Sequence, residues 1–116
     1  MVQGAGKKQM LLNAFVMNTP SHLAAGFWRH PRSKTDSYKK SSFWTDLTQL
    51  SDKANFHAMF IADTLGPYDV YKGPANVVPA LAAGAQFPVN DPLYLVPAMA
   101  AVTKNLIFWG HCQRNL

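Results

Sequence analysis

Hydrophobic positions along the chain cluster in short runs set apart by long polar stretches. Leu11–Asn18 reads LLNAFVMN and stops at a Thr19-Pro20 break. A run this short, with bulky residues at successive positions, predicts a strand buried on both faces. Ser21–Lys40 is polar and basic and has no period, as in loops that carry function or stay disordered. Ser42 is the expected N-cap of a helix, with Asp46 near its positive end. Phe43, Leu47, Leu50 and Ala54 then share one stripe at helical spacing, so Phe43–Lys53 is an amphipathic helix ending near Asn55. Ala58–Ala62 (AMFIA) is a second buried strand, followed at once by Asp63. Thr64–Val89 is irregular, punctuated by Gly66, Pro67, Gly73, Pro74, Pro79, Gly84 and Pro88. Asp91-Pro92 has the form of a helix start. An interior proline costs a helix about 3 kcal/mol, so Pro97 restricts the firm helix to Pro97–Lys104. Leu106–Trp109 opens a third strand.

Strand, long loop, helix, strand, long loop, helix, strand is the order of parallel βαβ units. Both long loops follow strands, and both helices return to strands through short connections. In a β/α barrel the loops after the strands carry the active site and the opposite face carries stability. The pattern therefore predicts which end does chemistry before any residue is assigned a role.

Composition narrows the picture further. The 116 residues are 48% hydrophobic and 15% charged, which fits a folded domain or part of one rather than a disordered chain. All acidic residues are Asp, and the formal charge of +5 comes mostly from Lys7, Lys8, Arg29, Arg32, Lys34, Lys39 and Lys40. These cations follow no helix face and accompany no nucleic-acid motif, so they are expected on a solvated loop and tail, with no nucleic-acid partner. Cys112 is the single cysteine, which points to a reducing compartment. The apolar stretch Met10–Met17 is too short to span a bilayer and no secretory leader is evident. The expected location is cytoplasmic, with no membrane partner.

Four segments carry a family resemblance: LNAFVMNTPSH at Leu12–His22, FWRHP at Phe27–Pro31, FHAMFIADTLGPYDVY at Phe56–Tyr71 and VNDPLYLVPAMAAVTKNL at Val89–Leu106. Together they resemble the bacterial-luciferase-like superfamily of flavin-dependent monooxygenases. The branch they resemble contains the nitrilotriacetate, dibenzothiophene-sulfone and long-chain alkane enzymes. The resemblance implies an α/β fold, the N-terminal portion of a TIM-type (β/α)8 barrel, with about two βα units plus the start of a third strand in this chain. It implies a two-component enzyme that takes reduced FMN from a separate flavin reductase and oxygenates a small organic substrate with O2 through a peroxyflavin. It also implies a homo-oligomer for full-length members. By this reading residues 1–9 are a disordered basic N-terminus and 10–106 a partial barrel that is inactive alone. The alternative is a short non-catalytic binding protein that keeps a half-barrel as scaffold.

Asp63 matches the family position at the end of the second strand that contacts the flavin. A carboxylate there can accept hydrogen bonds from flavin N–H or ribityl hydroxyl groups, or cap local backbone donors. Trp28, Arg29 and His30 sit in the first long loop, where an aromatic and two cations can line an isoalloxazine or an anionic substrate. Against this stands a structural role, with Trp28 packed on the barrel rim. His22 is a weaker candidate, and Tyr68, Asp69 and Tyr71 match the pattern without an assigned chemistry. The family continues after Leu106 with a strand close to F-G-V-T-A-S-x-T-Y-E, whereas this chain reads IFWGHCQRNL. Codons permitted for Phe108–Leu116, read one base out of frame, encode F-G-V-T-A-S-V-T-Y. Residues 107–116 are therefore expected to be an out-of-frame tail, from an extra base near Phe108 or a misplaced intron boundary. One His beside one Cys is no zinc site, and no metal is expected.

Overall fold

A computed structural model describes residues 8–22, 24–64 and 66–110. Strands β1 (Asn13–Met17), β2 (Ala58–Ala62) and β3 (Ile107–Gly110) form a parallel sheet in the order β1-β2-β3. Phe15 stands opposite Phe60, and Phe60 opposite Trp109. Helix α1 (Ser41–Lys53) crosses from β1 to β2; α2 (Val78–Ala83) and α3 (Val96–Ala101) lie between β2 and β3. This is the predicted alternation, and likewise β3 begins where the segment expected to be out of frame begins. The expected fraying beyond Gly110, and Cys112 with it, lie outside the described residues, as does Met1–Lys7. No helix among the described residues is long and apolar enough to cross a membrane.

Period-two alternation sends the two faces of the sheet to different fates. Met59 and Ile61, with Leu106 just before β3, pack on Tyr38, Trp44 and Met99, flanked by Val16, Phe43, Leu47 and Phe108. The opposite face carries Phe15, Phe60 and Trp109 as an aromatic ladder. Its ring centroids are 5.4 Å apart between Phe15 and Phe60 and 5.2 Å between Phe60 and Trp109. Among the described residues this face lies open, with Phe15 55% and Trp109 65% exposed.

Helix α1 departs from its expected form in two ways. It begins at Ser41, with Lys40 rather than Ser42 at the cap and no side-chain cap bond. The 3-10 turn Thr35–Lys39 feeds straight into it through Lys40 N–H to Ser37 O, which moves the start forward and leaves Asp46 beyond the first turn. The buried stripe is Trp44, Thr48 and Ser51, while Leu50 is 66% exposed. Trp44 wins the central place because its indole N–H reaches Tyr38 O at 2.7 Å, so the largest apolar side chain is buried with its donor satisfied. Thr48 and Ser51 donate their hydroxyls to Trp44 O and Leu47 O, so they are buried without orphaned groups.

Prolines stand in the first turn of both later helices, at Pro97 as expected and at Pro79 against expectation. Pro97 lies in the first turn of α3, where the missing N–H has no intrahelical partner to lose, and the helix ends at Ala101 rather than Lys104. Asp91 caps the preceding 3-10 turn, its carboxylate accepting from Leu93 N–H at 2.8 Å. Pro79 starts α2 in the same manner, inside what reads as loop, and Gly84 ends it in the left-handed region.

The end of the sheet where strands begin is tied by short connections. Asp52 at the end of α1 accepts from Lys104 N–H at 2.9 Å and Asn105 N–H at 3.2 Å, clasping the turn into β3. His57 N–H donates to Leu12 O, and Ile107 N–H to His57 O. These are the short helix-to-strand connections that the loop lengths predicted.

Candidate active site

At the other end, where the strands finish, the two long loops lie over the sheet and hold each other. Ser21 and Ala85 form a parallel bridge, Gln86 N–H donates to Ser21 O at 2.7 Å, and Asn90 N–H donates to Asn18 O at 2.9 Å. Ala83 O accepts from both Gly26 N–H at 3.1 Å and the Trp28 indole at 2.9 Å. Between the first loop and β1 lies a cleft of about 660 Å³, walled by Phe15, Met17, Pro20, Phe27 and Trp28, with His30 and Arg32 among its polar lining.

Trp28, Arg29 and His30 are brought together on one 3-10 turn, Phe27–Arg29 and its cap. Trp28 is a bolt between the loops. Its indole lies so close to Gly84 that an added Cβ there would meet Nε1 at 2.7 Å. Arg29 lays its guanidinium 4.9 Å from the Trp28 ring centroid, an exposed cation–π contact. His30 stacks on Phe27 and accepts from Arg32 N–H through Nδ1. Asp63 stands one residue past β2, half-buried at the end of the neighbouring strand.

A second polar group, not assigned chemistry from sequence, gathers beside the aromatic ladder. His22 stands 5.8 Å from the Phe15 ring, tilted by 43°. Gln86 places Nε2 3.1 Å from His22 Nδ1 and donates to the Tyr68 hydroxyl at 3.2 Å. Three buried side-chain oxygens at this end have no hydrogen-bond partner among the described residues: Asn18 Oδ1, Thr19 Oγ1 and Gln86 Oε1. Buried polar atoms are almost always paired, so these three are acceptors still open at this end of the sheet.

Comparison with known proteins agrees with this geometry. The chain is 46% identical over 118 aligned residues to a long-chain alkane monooxygenase of Geobacillus thermodenitrificans, matching 92% of this chain and 26% of that protein. A dimethyl-sulfide monooxygenase of Hyphomicrobium sulfonivorans is 45% identical over 102 residues, matching 88% and 21%. The crystal structure of a long-chain alkane monooxygenase superposes with a TM-score of 0.85 at 45% identity, over 90% of this chain and 24% of that one. Over nine-tenths of its own length the chain is homologous to monooxygenases with the luciferase-like fold. No family model matches it. It spans about a quarter of the length of these relatives. A riboflavin lyase solved with modified FMN and riboflavin shares the fold of the superfamily, with a TM-score of 0.77 at 24% identity. Within the superfamily's barrel, β1 to β3 are neighbouring parallel strands, and the loops described here stand at the strand ends where barrels place their chemistry.

Gln86 escaped sequence reasoning because its setting is conformational. Its backbone lies in the left-handed region at φ 58°, and nothing in the letters GAQFP announces a glutamine there. Tyr68 and His22 fall within the motifs that carry the resemblance, so their signal was present without a role attached.

Proposed function

We propose that this chain contributes the first part of the flavin and substrate site of a two-component monooxygenase. Reduced FMN, supplied by a separate flavin reductase, activates dioxygen when bound, and a small organic molecule is oxygenated. The observation that carries this reading is the open aromatic pair Phe15–Phe60, at the sheet end where β2 runs into Asp63 and where polar atoms of Asn18, Thr19 and Gln86 lack partners among the described residues. A planar, apolar ring system with polar edges is the shape that such a floor and such a rim accept. Asp63 would hold N–H or hydroxyl donors of the flavin, Phe15 and Phe60 would bear its plane or the substrate, and the latched loops would keep water away. Trp28 acts through loop order in this reading, with Arg29 and His30 at the rim toward the entering substrate. A cytoplasmic location belongs to the same reading.

The competing idea, a small binding module, requires cover over the apolar face, and among the described residues Phe15 and Trp109 lie open. The test is a chimera in which residues 8–106 replace the aligned part of the long-chain alkane monooxygenase. With a flavin reductase, NADH and O2, the chimera is expected to oxygenate substrate, and Asp63→Ala within it to weaken reduced-FMN binding at least about 10-fold, the loss of one charge-assisted hydrogen bond. A folded chimera that neither binds reduced FMN nor consumes O2 would refute the reading.

A further inference from the structure

The amide of Gln86 is 5% exposed and is held from several sides. Its own N–H is fixed to Ser21 O, and its Nε2 lies within reach of both His22 Nδ1 and the Tyr68 hydroxyl. Its left-handed backbone costs a non-glycine residue about 1 kcal/mol, strain of the kind that persists at functional sites. Two amide orientations are chemically possible. With the oxygen turned toward His22 and Tyr68, both N–H donors of the amide would be buried where Oε1 now stands without a partner. With Nε2 turned toward them, both donors are used and one carbonyl oxygen is left. Buried orphan N–H groups are the rarer and costlier defect, so the second orientation is favoured.

An amide NH2 can only donate. The Nδ1 of His22 must then accept, and the ring proton must sit on Nε2. Nε2 makes no hydrogen bond among the described residues, and the ring lines the cleft beside Phe15. We propose that Gln86 is a positioning residue that locks His22 in its Nε2–H tautomer, so that a neutral imidazole presents an N–H donor to an acceptor oxygen of the molecule bound over Phe15. The value of that donor rests on the monooxygenase reading; the tautomer itself does not.

The test uses the 116-residue chain, labelled with 15N and recorded near pH 8. Long-range proton–nitrogen spectra show which ring nitrogen carries the proton, and the His22 signals are identified as those lost in His22→Phe. The wild type is expected to show Nε2–H. Because free imidazole already leans that way, the deciding variant is Gln86→Glu, whose carboxylate accepts where the amide donated. It is expected to move the His22 proton to Nδ1 as the majority form. A wild-type Nδ1–H, or a Gln86→Glu chain that folds with Nδ1 still bare, overturns the proposal. Should Gln86→Glu fail to fold, the Gln86 side-chain NH2 decides. Its hydrogen exchange is expected to be about 10-fold faster in His22→Phe than in wild type, the loss of one hydrogen bond, and equal rates overturn it. These readouts need neither flavin nor substrate, so their failure is distinct from failure of the chimera to bind flavin.

Discussion

Gly84→Ala is expected to unlock the two loops from each other. At φ 63° Gly84 is in the left-handed region, where an L-residue costs about 1–2 kcal/mol. The new Cβ would lie 2.7 Å from Trp28 Nε1 and 3.2 Å from Cδ1, so the indole must move away. Moving it stretches or breaks its 2.9 Å bond to Ala83 O, a net contribution of about 0.5–1.5 kcal/mol. The sum is about 2–3 kcal/mol against the latched arrangement. Gly26 N–H donates to the same Ala83 O, so its hydrogen exchange reports the latch directly. At about 1.4 kcal/mol per factor of ten, Gly26 protection should fall roughly 30- to 100-fold. A double-mutant cycle separates the two causes. In a Trp28→Ala background the steric conflict is gone, and Gly84→Ala should cost only the backbone strain, about 1–2 kcal/mol. Gly66→Ala, where nothing lies within 4 Å of the added carbon, should leave Gly26 exchange unchanged. If Gly84→Ala costs the same with and without Trp28, the bolt described here does not exist.

Met59 is fully buried in the core, so Met59→Ala should destabilise the chain by about 2–5 kcal/mol in urea unfolding. Asp52→Ala removes the carboxylate oxygens that accept from two backbone N–H groups in the turn into β3 and should cost about 1–2 kcal/mol, with the loss of exchange protection concentrated at Lys104 and Asn105. The isolated chain should bind FMN weakly, because affinity requires several preorganised contacts and this chain supplies part of a pocket; a sub-micromolar dissociation constant by fluorescence titration would contradict that.

The strands were legible because each is a short apolar run with a hard stop: Thr19-Pro20 after β1, Asp63 after β2. Their parallel order followed from the helical stripe between them. The register of α1 was one position off because a hydrophobicity stripe weighs Phe43, Leu47 and Leu50 alike, whereas the structure selects Trp44, which alone finds a carbonyl for its ring N–H in Tyr38. Pro97 was read as a helix start and is one, whereas Pro79, in the same position of α2, was read as loop. A proline forbids helix interiors but favours first turns, and sequence alone does not say which it occupies. At the site, Asp63 and the Trp28 turn were visible because charged and aromatic residues after apolar strands stand out. The Gln86 amide was not, since its importance comes from burial, a left-handed backbone and two partners, one 64 residues and the other 18 residues away in the chain.

The two loops are joined mainly through their main chains, by Ser21–Ala85 pairing and by the bonds from Gln86, Asn90 and Gly26 to carbonyls across the gap. Such bonds are indifferent to which side chain stands on either strand of the seam. Phe27, Arg32 and the other residues projecting into the cleft can therefore be exchanged while the rim keeps its shape, with Trp28, Gly84 and Gln86 as the positions where identity matters. A library confined to Phe27, His30 and Arg32 would therefore vary the lining of the cleft while the main-chain seam between the loops stays as it is.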